Sequence, residues 1–100
     1  MANEVPSPWK SDELDAILPG LDGWAAVDGK LHKEFVFDDF ARAFGFMASA
    51  AVVAERCGHH PEWFNVYNKV RVDLVTHDAG GITCLDTDLA RELNQLAVRP

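Results

Sequence analysis

Three of the four histidines in this chain fall within nineteen positions, the adjacent pair His59-His60 and then His77. Unperturbed imidazole titrates close to neutrality, so each of these rings can give or take a proton at physiological pH. Such a density in so short a run points to an acid/base site. His32, the fourth, stands alone and reads as an ordinary polar residue. The rival chemistry is zinc held by His59, His60, His77 and a cysteine. Adjacent side chains in extended backbone point apart, and the chain contains no Cys-x-x-Cys or His-x-x-x-His spacing, so a metal is not expected.

The stretch between the histidines folds back on itself. Phe64 to Tyr67 predicts a short strand, Asn68-Lys69 a two-residue turn, and Val70 to His77 a longer strand. Along the longer strand Val70, Val72, Leu74 and Thr76 share one face, while Arg71, Asp73, Val75 and His77 share the other. The first set should pack under helices. That parity places His77 on the uncovered face of a sheet, and the site is expected to open there.

The remaining elements supply the scaffold. Trp24 to Phe37 reads as a hairpin about Asp28-Gly29, a type I′ signal. Beyond the turn, Leu31, Lys33, Phe35 and Phe37 alternate with His32, Glu34 and Val36, the period of a strand. Asp39 to Cys57 predicts the longest helix, with Phe40, Ala43, Phe44, Met47, Ala51 and Ala54 as its apolar stripe. Gly58 is placed to stop it. Ser11 caps a short helix, Asp12 to Leu18, that Pro19-Gly20 ends. Thr83-Cys84-Leu85-Asp86 matches a capping box, opening a helix with Leu85, Leu89, Leu93 and Leu96 on one side and ending near Ala97. The order is α-β-β-α-β-β-α, an α+β fold: a four-stranded antiparallel sheet with helices packed on one face.

Composition narrows the function classes. One hundred residues, 48% hydrophobic and 25% charged, suit a single globular domain at 11–100, preceded by a flexible arm at 1–10 that carries Pro6, Ser7 and Pro8. A net charge of −7 argues against direct nucleic-acid binding. No signal peptide or membrane-length apolar run is legible, and Cys57 and Cys84 follow no chelating or disulfide pattern. A cytoplasmic protein with reduced thiols is expected.

The residues His59-His60-Pro61-Glu62-Trp63, then Tyr67-Asn68-Lys69-Val70, then Thr76-His77-Asp78-Ala79-Gly80, resemble the pterin-4a-carbinolamine dehydratase family. Phe40-Ala41-Arg42-Ala43-Phe44-Gly45-Phe46-Met47 and Trp63 to Val70 are similar to its vertebrate members, and the resemblance runs from about Leu14 to Ala97. It implies dehydration of 4a-hydroxytetrahydrobiopterin to quinonoid dihydropterin, without metal or organic cofactor, in tetrahydrobiopterin recycling. Such chemistry delivers a proton to the departing 4a-hydroxyl and removes one from a ring nitrogen.

Carried over by position, His59 and His77 are the acid/base candidates, and His60 binds and orients the pterin. Thr76 and Asp78 flank His77 and would contact the ligand or set the imidazole tautomer; Val75 shares the face of His77. Trp24 offers a flat wall, and Asp86 and Glu55 would act electrostatically on the histidines. The family often has Asp or Asn immediately before the histidine pair, whereas this chain has Gly58. Its backbone can still line the pocket, and slightly altered substrate positioning is expected. The resemblance also points to a homodimer or homotetramer. A non-catalytic alternative is a binding or assembly protein, because some relatives are dimerisation cofactors of a transcription factor and others assist enzyme assembly.

Overall fold

Two tight turns set the register of the sheet. In the computed structural model, which describes residues 5–98, β1 (Ala25–Val27) and β2 (Lys30–Val36) flank Asp28 and Gly29, with φ of 52° and 80°. Both central positions are left-handed, as the type I′ signal requires. β3 (Glu62–Val66) and β4 (Lys69–Leu74) form the second hairpin. Its central pair is Tyr67-Asn68, one residue earlier than expected, because Val66 pairs with Lys69. Tyr67 carries the positive φ of 50°, an uncommon place for an aromatic residue. Asn65 holds it there, its side-chain amide donating to the carbonyls of Tyr67 and Lys69.

The strands run antiparallel in the order β1-β2-β4-β3. Leu31 faces Leu74 and Phe35 faces Val70 across the central pair. Leu31, Phe35, Val70, Val72 and Leu74 form one buried face, as their alternation predicts. Both long helices cover that face, giving the α+β architecture. These are α2 (Phe40–Cys57) and α3 (Cys84–Ala97), joined at the periphery by α1 (Ser11–Ile17). Phe46 of α2 lies 4.7 Å from Phe35 and 5.0 Å from Phe37, ring centre to ring centre, which seats the helix on the sheet.

The buried stripe of α2 is Ala43, Phe46, Ala50, Val53 and Ala54. The expected stripe was rotated from this one: Phe40, Phe44 and Ala51 face outward. The helix is apolar on both sides, with Val52 also exposed, so a period of 3.6 alone does not choose the inward one. Asp39 caps α2, its carboxylate accepting the Arg42 N–H at 2.8 Å. α1 begins at Ser11 itself, with Lys10 at the cap position and its N–H bonded to the Glu13 carboxylate.

Of the segment expected to be a loose arm, Trp9 is tied to the body: its N–H donates to the Ile82 carbonyl at 2.8 Å, and its side chain packs on the core. Residues 1–4 lie outside the described residues.

Candidate acid–base site

The histidine pair leaves α2 at a fixed angle. Gly58, at φ 67°, is the left-handed residue that ends the helix, and the His59 N–H turns back to the Ala54 carbonyl at 3.1 Å. From this anchor the two rings diverge. His59 points inward and retains 12% of its side-chain exposure, whereas His60 is largely exposed.

Beneath His59 lies Asp86, wholly buried in the first turn of α3. Its Oδ1 accepts from His59 Nε2 at 2.5 Å. Its Oδ2 accepts from the Thr83 N–H and from the Thr76 hydroxyl, each at 2.8 Å. The capping box read from Thr83 and Asp86 therefore exists, and its carboxylate does a second job. With the Thr76 hydroxyl and the Thr83 N–H both donating to this side chain, it is disposed as an acceptor, and a hydrogen donated to its Oδ1 by His59 sits on Nε2. Nδ1 is then the ring nitrogen not engaged by Asp86.

β4 ends at Leu74, short of the expected His77. Thr76 is the cause. Its N–H pairs with the Gly81 carbonyl and its side chain is drawn down to Asp86, so the chain leaves the sheet and closes a 3₁₀ turn over His77–Ala79. The turn presents His77 at the surface, where its Nε2 meets Glu62 Oε2 at 2.8 Å. Glu62 also receives Lys30 Nζ at 2.6 Å. The lysine, and then His77, hold the Glu62 carboxyl below the usual carboxylate range. His60 has its own acid in Glu55 of α2, with Nε2 and Oε1 separated by 2.9 Å.

These residues converge on a cavity of about 800 Å³. His59, His60 and His77 line it together with Gly58, Val75, Thr76 and Asp78, all sequence-derived candidates. Cys57, Leu85, Val5 and Pro6 complete the wall. Asp86 sits below the lining. Trp24 does not line this cavity: it is 5% exposed, with its indole against Phe35 and its N–H on the Asn94 side chain. Among the described residues, no group of three or more His, Cys, Asp or Glu side chains is placed to hold a metal ion.

The position of the cavity departs from expectation. It opens where α2 ends and α3 begins, beyond the last residue of β4, not over the middle of the uncovered sheet face. His77 alone reaches that face, through Glu62. Glu62 is not legible as a site residue from the sequence alone. Its parity with Phe64 and Val66 does place it on the uncovered face, but its meeting with His77 depends on a register in which Glu62 pairs with Asp73.

A buried carboxylate beneath one histidine, with two more histidines at the same cavity, sits within a small α+β frame. The chain belongs to the Pterin 4 alpha carbinolamine dehydratase family, whose sequence profile matches residues 7–96. A relative from Solibacter usitatus, provisionally named a pterin-4-alpha-carbinolamine dehydratase, is 55% identical over 85 residues, covering 85% of this chain and 90% of its own. One from Brucella ovis, under the same provisional name, is 52% identical over 87 residues, with the same coverage. The crystal structure of a transcriptional coactivator/pterin dehydratase from Brucella melitensis superposes with a TM-score of 0.88 at 48% identity, covering 91% of this chain and 99% of that one.

Proposed function

We propose that this protein dehydrates a pterin 4a-carbinolamine, 4a-hydroxytetrahydrobiopterin or a close analogue, by histidine acid/base catalysis. One observation carries the reading: each histidine at the cavity is backed by its own carboxylate, His59 by Asp86, His60 by Glu55 and His77 by Glu62. An isolated His–acid contact is commonplace on a protein surface. Three converging on one cavity match a reaction that needs one proton delivered and one removed.

In the reaction the C4a–O bond breaks as the hydroxyl takes a proton and leaves as water. A ring N–H gives up its proton, and its electron pair becomes the new C=N bond. His59, held from below, and His77, held from the side, are the acid/base pair. His60 binds and orients the pterin. Thr76, Asp78 and the backbone of Gly58 line the ligand, and Val75 and Leu85 supply apolar wall. Asp86 acts through His59, and Trp24 belongs to the core. The chemistry asks no metal or organic cofactor of the protein. Its place would be cytoplasmic recycling of tetrahydropterin.

Stopped-flow measurement of carbinolamine dehydration tests this directly. Wild type should accelerate the spontaneous reaction, and His59→Ala should lose about 10²-fold of that acceleration, the lower end of what a positioned acid or base contributes. Wild-type protein that leaves the spontaneous rate untouched would refute it.

A second reading, partner binding or self-association, is supported by the outward side of α2. Phe40, Phe44 and Val52 there are each more than half exposed, which is unusual for large apolar side chains clustered on one helix. This surface suits a homo-oligomer and leaves the cavity free, so the two roles are compatible.

A further inference from the structure

We infer that Glu62 is the positioning residue for His77, and that the Glu62–Lys30 pair on the uncovered sheet face is what aims this imidazole into the cavity. The inference rests on the dehydratase reading and goes beyond it by assigning a role to a side chain outside the cavity lining.

His77 needs such a device more than its neighbours do. His59 is nearly enclosed and clamped by a buried carboxylate, but His77 stands on a short 3₁₀ turn with 72% of its side chain exposed. The Thr76 bonds to Gly81 and Asp86 fix the backbone of that turn, yet they leave χ1 and χ2 of His77 free. The hydrogen bond found for the His77 ring is the one to Glu62 Oε2, at 2.8 Å. With Nε2–H engaged there, Nδ1 is the nitrogen left for the substrate.

Glu62 is itself held. Lys30 Nζ lies 2.6 Å from its other oxygen, and Asp73 stands opposite on β4. His32 in turn binds Asp73 at 2.8 Å, so a second carboxylate beside Glu62 is partly occupied and the lysine can serve Glu62. Exposed pairs of this kind add little to stability. What they can fix is a direction. Glu62 also follows the histidine pair by two residues, so one extended segment carries two of the three rings and the holder of the third.

The test is a double-mutant cycle with a spectroscopic arm. In stopped-flow dehydration, Glu62→Gln should lower kcat about 10-fold with KM within twofold, and melting should move by less than about 3 °C because the site is exposed. In a His77→Gln background, the same change should cost less than twofold. NMR of the Glu62 side-chain carboxyl should show its titration moving upward in His77→Gln, since the contact that helps hold it down is gone. Equal losses from Glu62→Gln in both backgrounds, or an active wild type matched by Glu62→Gln, would overturn the assignment. A Glu62 titration unmoved by His77→Gln would overturn it independently of any activity. Wild type without dehydratase activity overturns the dehydratase reading instead, and this role falls with it.

Discussion

Asp86→Asn is the substitution that best separates geometry from charge at this site. The shape is kept, but the carboxylate that accepts three hydrogen bonds becomes an amide. Its oxygen can still receive the Thr83 N–H and the Thr76 hydroxyl. A hydrogen bond to a charged group contributes about 1.5–3 kcal/mol and a neutral one about 0.5–1.5, so each of these two weakens by about 1 kcal/mol. The third bond changes sense. The amide NH₂ now faces His59 Nε2 and requires it to accept, which drives the imidazole proton to Nδ1. A loss of about 2–3 kcal/mol follows, or roughly 10–20 °C in Tm for a domain of this length. Differential scanning calorimetry measures it. Under the proposed mechanism the dehydration rate should fall by about 10²-fold, because Nδ1 would no longer offer a lone pair to the substrate. Nitrogen-15 NMR of the His59 ring reads the tautomer separately from the rate. A variant that keeps the wild-type rate and the Nε2–H tautomer would refute the positioning argument, whatever its Tm.

Other outcomes follow from features away from that carboxylate. Asn94 accepts from Trp24 Nε1 and from Lys33 Nζ and donates to the Asp22 carbonyl, so Asn94→Leu strands the indole N–H of the buried Trp24 and should cost about 1–3 kcal/mol in urea unfolding. Gly58→Asp meets no atom within 4 Å of a built Cβ but must adopt a φ of 67°, so it should lose about 1 kcal/mol and shift KM a few-fold; unchanged stability and kinetics would refute both the cap and the lining role. The depressed Glu62 carboxyl gives a pH signature. Its contribution is present above the unfolded carboxylate range and vanishes as pH falls through the lower folded value, so the Tm gap between wild type and Glu62→Gln should close between about pH 5 and pH 3. Lys30, held above 10.5 chiefly by the same Glu62 bond, predicts a loss at the alkaline end, seen as a Tm gap between wild type and Lys30→Met that closes as pH rises through that value.

The sheet and the N-cap of α3 were legible because their signals are local. Period-two alternation marked Val70, Val72 and Leu74 as buried, and Thr83-x-x-Asp86 announced the cap. The inward face of α2 was not legible, since Phe40 and Phe44 are as apolar as the side chains that do pack and only the sheet decides between them. The early end of β4 was hidden for a similar reason: Thr76 leaves the sheet for a carboxylate ten residues away. The same distance problem concealed Glu62, and it placed Trp24 at the site when Asn94, seventy residues on, draws it into the core. Gly58, at φ 67° where the helix ends, has a conformational reading. Gly, Asn and Asp are the residues that tolerate left-handed backbone, so the position can be selected by the helix end as much as by the ligand.

The triple acceptor role of Asp86 has a kinetic corollary. The residue that orients His59 is also the residue that caps α3 and anchors Thr76, so no part of this arrangement can loosen alone. The site should open and close as one cooperative unit with the start of α3, and the Thr83 amide should exchange its hydrogen as slowly as the most protected amides of β4. In this small fold, a His59 ring held in its clamped orientation reports that the last helix has docked.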